Sequence, residues 1–448
     1  MNLDQIVLIS YFLLMLAIGL YYSRRHSDSE SFLLANRDLG SFHVAGSSFA
    51  TFTGAGLAFA AASFGYQYGI SAFILLIAAL IGAIVFIRFT PGIWRHSQRN
   101  TSITLPQLLD DRWDEKTKVL AALITLGLFT GSLTMQLLVA GNIANQLFGF
   151  AVKPASVGFG ILVILYTLMG GFKSVTVSDL LQMLIIFAGM LLVLAPLALI
   201  RHWEAIMSLP PSHTSQISMP ISLFFGYLLI GMFAYYGGQD LFQRIYASRS
   251  EQHARRGIVY FAVFVLTITG VSIFLGMAAR AINPGVVADQ ALPFLAANIV
   301  PAGLTGLVLA AFVSMANSTA DGTLLTMSSS IIEDFIAKKK DLEPGQELLT
   351  NRILVVLVGV LGLGMAVIIP DIAELFNSIG SWFGILGVNV FASLYWEIDE
   401  PIFYSLLAGF VSANLIAVLM GNFQASGLLG ILVSALVIAI HQVYVRFR

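Results

Sequence analysis

The stretch "AAFVSMANSTADGTLL", Ala310–Leu325, lies inside one of the most apolar regions of the chain, yet it carries Ser314, Asn317, Ser318, Thr319 and Asp321 within eight residues. A helix in lipid satisfies its own backbone and needs none of these groups, so each must find a partner or face water. On a helix, Ser318 and Thr319 fall beside the turn of Met315, and Ser314 lies one turn before Ser318. Asp321 sits on a neighbouring face, so oxygen atoms collect along one stripe. Two readings of the hydroxyls stand side by side. They can bond carbonyls four residues back or glue helices together. Alternatively, with backbone carbonyls, they can hold a hard monovalent cation, which prefers oxygen ligands. Asp321 favours function, because a carboxylate at the centre of a membrane helix costs at least about 2.5–3.5 kcal/mol.

The rest of the chain makes that helix a membrane helix. Of 448 residues, 58% are hydrophobic and only 10% charged, against roughly 25% charged in soluble domains. Mean hydropathy is +0.87. Apolar runs of membrane-spanning length recur from end to end. A net charge of -1 offers no electrostatic case for a nucleic-acid partner. With no cysteine, disulfides and thiolate metal sites are excluded. His26, His43, His96, His202, His213, His253 and His441 are scattered without metal-ligand spacing. The first apolar run follows "MNLDQ" and precedes Arg24 and Arg25, the reverse of a signal peptide. It reads as a spanning helix with its N-terminus outside.

About thirteen spans are predicted: 4–22, 40–68, 69–95, 117–148, 154–172, 177–201, 220–245, 255–282, 301–335, 349–369, 371–396, 401–420 and 425–445. With the N-terminus outside, the Lys- and Arg-rich loops and the terminal "VRFR" fall in the cytoplasm, as the positive-inside rule requires. The short loops leave no room for a nucleotide-binding, kinase or signalling domain. An intramembrane enzyme is equally unsupported. Asp179 and Asp321 are formally a pair of acids, but neither lies in a protease-like motif, and there is no Ser–His pair or metal cluster.

Glycines interrupt two corresponding helices. Gly54 and Gly56 lie well inside the second, Gly237 and Gly238 inside the seventh, each opening a possible run of five helices (about 40–200 and 220–396). Matching interruptions point to an inverted-repeat transporter with broken helices at mid-membrane; small residues that let helices pack closely are the competing reading. Among the other acids, Asp179 is expected in the first turn of the helix after the "GGFK" turn, favoured there by the helix dipole. Asp240 is expected to pair with Arg244 at i+4. Asp371 and Glu374 are expected in a solvated outer turn.

"YTLMGGFKSVTVSDLLQ" (166–182) and "LAAFVSMANSTADGTLLTMSSSIIEDF" (309–335), with "FLLANRDLGSF" and "FGILGVNVFASLYW", resemble the sodium:solute symporter family of proline, pantothenate, sialic-acid, sugar and choline carriers over nearly the whole length. The resemblance implies an all-α, five-plus-five inverted-repeat core of the leucine-transporter type, with one extra helix before and two after. That divides the chain into 1–39 (extra helix and loop), 40–201 (first repeat), 202–397 (second repeat) and 398–448 (two final helices). It implies a sodium site at the carbonyls of Phe52, Ala55 and Met315 and the hydroxyls of Ser318 and Thr319. A second cation site at Asp179 and Asp321 is open. Asp321 and Gly322 stand where some members have two hydroxyls, so a proton or a structural pairing is the alternative there.

For the solute, the resemblance brings forward Thr51, Thr53, Phe59, Gln136, Tyr235, Tyr236, Gln239, Ser381 and Trp382. The apolar "LAFAAASF" argues against a sugar, and the lack of an Arg in "TGSLTMQLLVAGNIANQ" against sialic acid. An amino acid or short carboxylate fits best, and Tyr235, Tyr236 and Trp382 could instead cage a quaternary amine. The expected partners are therefore sodium, a small organic solute and the bilayer of a bacterial plasma membrane. No obligate protein partner and no nucleic acid are expected. A proton-coupled carrier of the same fold is the runner-up, and a transporter-shaped sensor a more distant one.

Overall fold

Lipid leaves the backbone no outside hydrogen-bond partner, so each long apolar run closes into a helix. A computed structural model describes residues 3–23, 29–336, 344–368, 372–395, 401–420 and 423–446. Its long helices are α1 (Leu3–Tyr22), α2 (Ser41–Tyr68), α3 (Ile74–Asn100), α4 (Glu115–Phe148), α5 (Val152–Phe187), α6 (Ile221–Gly237), α7 (Gln239–Tyr246), α8 (Glu251–Ile282), α9 (Thr305–Ser330), α10 (Pro344–Ile368), α11 (Ile372–Tyr395), α12 (Pro401–Met420) and α13 (Phe423–Arg446). Asp371 and the side chain of Glu374 lie outside the described residues.

Among the described residues, ten stretches are long and apolar enough to cross a membrane. Two of them, Ser41–Asn100 and Val152–Met207, are long enough to cross twice. Their turns fall at Gly69 (φ 54°) and Gly171 (φ 57°), left-handed positions that only glycine adopts without strain. With α9 this is consistent with about thirteen crossings. Helix resumes directly after Gly171, so the expected "GGFK" turn contracts to one residue. Asp179 consequently sits two turns into its helix rather than in the first turn.

α9 explains its own polarity by position. Every residue from Val308 to Ser330 is buried, with α1, α2, α4, α5 and α10 packed around it. It never faces lipid, so its hydroxyls and carboxylate meet protein. Lipid-facing positions fall on the periphery, where Leu14, Ile84, Leu192 and Val418 are exposed. The extra helix α1 is pinned to the start of α9 by Asp4, whose Oδ1 accepts from the N–H groups of Gly303 (3.0 Å) and Gly306 (2.6 Å). These are free donors of a helix start, and the acid satisfies them.

α2 lies against α8 closely enough that a Cβ on Gly65 would stand 2.0 Å from the Ile273 carbonyl oxygen, and one on Gly276 1.9 Å from that of Ala62. Small residues thus serve close packing here. Eleven residues before Gly65 in the same helix, glycine does something else.

Candidate functional site

At Gly54 the backbone of α2 leaves the helix (φ 46°, ψ 166°), and α6 and α7 are separated by an extended Gly238 (φ −84°, ψ 92°). Of the four interrupting glycines, these two make the breaks; Gly237 instead packs on the Phe383 backbone, where a Cβ would meet its carbonyl oxygen at 2.3 Å. The break at Gly54 frees the Ala55 N–H, which donates to Gln136 Oε1 at 3.2 Å. It also removes the Cβ that would otherwise stand 2.8 Å from Thr319 Oγ1.

Against this break α9 presents its hydroxyls. Ser318 Oγ lies 2.8 Å from the carbonyl oxygens of both Ala50 and Ser314 and 3.2 Å from that of Met315. Thr319 Oγ1 lies 2.8 Å from the Thr51 carbonyl oxygen and 3.0 Å from that of Met315. A hydroxyl has one proton. Ser318 and Thr319 can each donate it to one carbonyl at a time, either back within α9 or across to Ala50 and Thr51 on α2. With the carbonyls they form an all-oxygen cluster, which suits helix–helix bonding and is also of the kind a hard cation selects. The α2 carbonyls within hydroxyl reach belong to Ala50 and Thr51, not to the expected Phe52 and Ala55. Thr51 is the chain neighbour of Phe52, and Ala55 lies just beyond the break at Gly54.

Behind this cluster lies a buried ion pair. Arg244, with no exposed surface, donates from Nε to Ser47 Oγ (2.8 Å) and from Nη2 to Thr51 Oγ1 (2.5 Å), and its Nη2 stands 3.5 Å from Asp179 Oδ2. Ser47 Oγ donates to the same Asp179 oxygen at 2.5 Å, and Thr51 Oγ1 donates to the Ser318 carbonyl at 3.2 Å. The guanidinium also lies over the Phe172 ring, 5.5 Å from its centroid. The expected Asp240–Arg244 side-chain pair is thus corrected: Arg244 Nη1 donates to the Asp240 main-chain carbonyl at 3.0 Å, while its charge is spent on Asp179. Asp321 accepts from the Tyr166 hydroxyl through Oδ2, and its Oδ1 has no hydrogen-bond partner.

A cavity of about 160 Å³ opens between the two breaks, similar in size to an engineered apolar cavity of about 150 Å³ that admits benzene. Of the expected solute residues, Thr51, Thr53, Gln136 and Tyr235 line it. The others are placed elsewhere. Phe59 packs edge-on against Phe312, Gln239 donates to the Thr326 carbonyl, and Tyr236 lies edge-on to Phe86 and Phe391. Trp382 leans on Phe410, and Ser381 faces Gly427 of α13. The expected cage of Tyr235, Tyr236 and Trp382 is therefore not assembled. Its place is taken by Phe52, stacked on Tyr235 at 5.2 Å, with Phe129 and Phe383. The polar residues Ser132, Thr269 and Asp240 also line the cavity and were not foreseen. Asp240 was visible beside the Gly-Gly break, but its i+4 spacing to Arg244 drew it to the wrong partner.

Two helices broken at facing positions, an oxygen cluster at one break and a cavity between them define a secondary transporter of the broken-helix class. A Na+-coupled sialic acid symporter, solved in a substrate-bound outward-open state, superposes with a TM-score of 0.85 at 18% identity, covering 98% of this chain and 97% of that one. MhsT, solved in complex with L-phenylalanine, shares the fold more distantly (TM-score 0.59, 15% identity, 90% and 97% covered). Residues 32–398 match the sodium:solute symporter family, and the chain belongs to it. Among curated relatives, the osmoregulated proline transporter OpuE of Bacillus subtilis is 25% identical over 416 residues, spanning 86% of this chain and 82% of the relative. A sodium/glucose cotransporter of Vibrio parahaemolyticus is 24% identical over 462 residues, with 88% and 81% covered. The protein is accordingly an integral membrane protein that couples sodium to the symport of a small organic solute.

Proposed function

We propose that sodium binds between the Ser318 and Thr319 hydroxyls and the Ala50, Thr51 and Met315 carbonyls, and that the solute binds in the adjoining cavity. The observation that carries this reading is the shared wall. Thr51 and Thr319 belong both to the oxygen cluster and to the cavity lining. A cation there fixes the broken end of α2 and with it the shape of the solute site, which is the differential affinity that coupling requires. The bundle then rocks and both leave on the inside, the cytoplasmic side being the one with the Lys- and Arg-rich loops.

The energy suffices. One charge crossing about 100 mV releases about 2.3 kcal/mol, and a tenfold sodium gradient adds about 1.4, together enough for roughly a 500-fold solute gradient per ion.

At the second cation position we propose that the Arg244 guanidinium serves as the resident counter-charge of Asp179, leaving one sodium per cycle. A small solute such as an amino acid or short carboxylate suits a cavity of about 160 Å³; the proline-carrying relative OpuE is in keeping with that size class. Uptake of labelled L-proline and other small amino acids and carboxylates into proteoliposomes tests the reading, with sodium and proton gradients imposed separately. Sodium-driven uptake with a Hill coefficient near one is expected. Uptake driven equally by protons in the absence of sodium would overturn it.

A further inference from the structure

We propose that the solute carries a protonated amine and that Asp240 is its counter-charge. The inference rests on the cavity being the solute site, as argued above, and narrows what that site accepts.

Four buried polar side-chain atoms on residues lining the cavity have no hydrogen-bond partner: Thr53 Oγ1, Tyr235 Oη, Thr269 Oγ1 and Asp240 Oδ1. Buried polar atoms are rarely left so, and a cluster of them around a cavity marks groups that a ligand completes. Three are hydroxyls, which can donate or accept and therefore discriminate little. The fourth belongs to a carboxylate, and Asp240 is the one charged residue among those lining the cavity.

Asp240 is 3% exposed. A carboxylate so buried needs compensation. The Arg244 guanidinium one turn on adds a favourable field, and the main-chain N–H groups of Asp240 and Leu241 bond the carboxylate, but no side-chain donor meets Oδ1, because those of Arg244 go to Ser47, Thr51 and the Asp240 main chain. The position in the first turn of α7 places Asp240 where the helix dipole favours a negative charge. It does not satisfy Oδ1. The sodium ligands lie on a different wall, at the junction of α2 and α9.

What enters must therefore bring its own positive charge. A protonated amine does so and donates a charge-assisted hydrogen bond. The stacked Phe52 and Tyr235 rings, on residues lining the same cavity, add aromatic surface that tolerates a cation. A carboxylate without an amine would instead add a second negative charge to a site that lining residues cannot neutralise. Amine-bearing solutes, zwitterionic amino acids included, are accepted, and simple carboxylates are refused.

The test uses the full-length protein in detergent and in proteoliposomes with saturating sodium. The probes are matched pairs differing only by the amine: L-proline against cyclopentanecarboxylate, L-alanine against propionate, and L-valine against isovalerate. Competition and thermal stabilisation are expected from amine-bearing members alone. Asp240→Asn is expected to weaken the active probe at least tenfold while sodium-induced stabilisation persists. Asp240→Glu, which keeps the charge, should recover much of the discrimination. The proposal is overturned if an amine-free member binds within threefold of its partner, or if Asp240→Asn keeps the wild-type preference. Amine selectivity without any sodium dependence would refute the coupling reading and leave this assignment standing.

Discussion

Arg244 and Asp179 face each other across 3.5 Å with neither side chain exposed, joining α7 to the second half of α5 at the depth of the helix breaks. Ser47 and Thr51, both on the first half of α2, bond to the same guanidinium. Three elements that meet at the oxygen cluster are thus tied through one side chain. A fork of fixed donors suits that task, and a lysine's point charge does not.

Removing one partner leaves the other charged and buried, which costs about 3–5 kcal/mol. Arg244→Gln and Asp179→Asn are each expected to lower the apparent unfolding temperature strongly. The double variant should be less destabilised than the two losses added together. Thermal unfolding of the four proteins in detergent gives the coupling directly. Additive losses would mean that the pair contributes nothing as a pair.

Ser318→Ala and Thr319→Ala each delete one oxygen from the proposed sodium set and one back-bond to α9. The lost neutral hydrogen bond costs about 1 kcal/mol of stability, so both proteins should still insert and fold. The sodium concentration for half-maximal uptake should rise at least tenfold, with the maximal rate at saturating sodium retained in part. Measuring uptake across a sodium series at fixed solute separates this from general damage. An unchanged half-saturation would remove the two hydroxyls from the ion site.

The local features of this site were legible in the sequence, and its cross-helix geometry was not. Gly54 could be read as a break because glycine inside a long helix is costly, and Ser318 and Thr319 because helical spacing puts them on one stripe with Met315. Which residues face them depends on the rotation of a neighbouring helix. Successive helical side chains diverge by about 100°, so Gly380 and Phe383 line the cavity while Ser381 and Trp382 turn into seams with α13 and α12. Arg244 shows the same limit. Its partner Asp179 is 65 residues away, and no periodicity relates them. The nearer acid, Asp240, satisfied the spacing rule and was the wrong choice.

Outside the membrane core, Arg249 Nε donates to Asp38 Oδ1 at 2.6 Å, with both side chains more than half exposed. The guanidinium holds the Asp38 carboxyl below the usual carboxylate range. A lowered value means that the contribution is present above the unfolded pKa of about 4 and is lost as pH falls through the folded one. Exposure and salt keep it small. Arg249→Ala should therefore leave stability at neutral pH nearly unchanged, because the adjoining main-chain bonds remain: Leu39 N–H to the Ala247 carbonyl at 3.0 Å and Arg249 N–H to the Leu39 carbonyl at 2.9 Å. Unfolding temperatures between pH 3 and pH 7 check this. A large loss at pH 7 would show that the side chains, not the bridge, hold this corner.

Two glycines of α2 should fail in different ways when given a methyl group. At Gly54 the backbone is left-handed (φ 46°), and an added Cβ would meet Thr319 Oγ1 at 2.8 Å. The strain is about 1–3 kcal/mol, which a folded membrane protein can absorb, while the displaced hydroxyl belongs to the proposed ion site. Gly54→Ala should therefore yield inserted, monodisperse protein with little sodium-dependent uptake. At Gly65 the backbone is helical, but the Cβ would stand 2.0 Å from the Ile273 carbonyl oxygen, a backbone atom that cannot turn aside. Gly65→Ala must push α2 off α8, and overpacking of that kind costs about 1–3 kcal/mol or more. It should lower folded yield and stability first, with loss of uptake in proportion. Size-exclusion profiles alongside uptake per folded molecule separate the two outcomes. Equal loss of yield in both variants would mean that Gly54 serves packing alone.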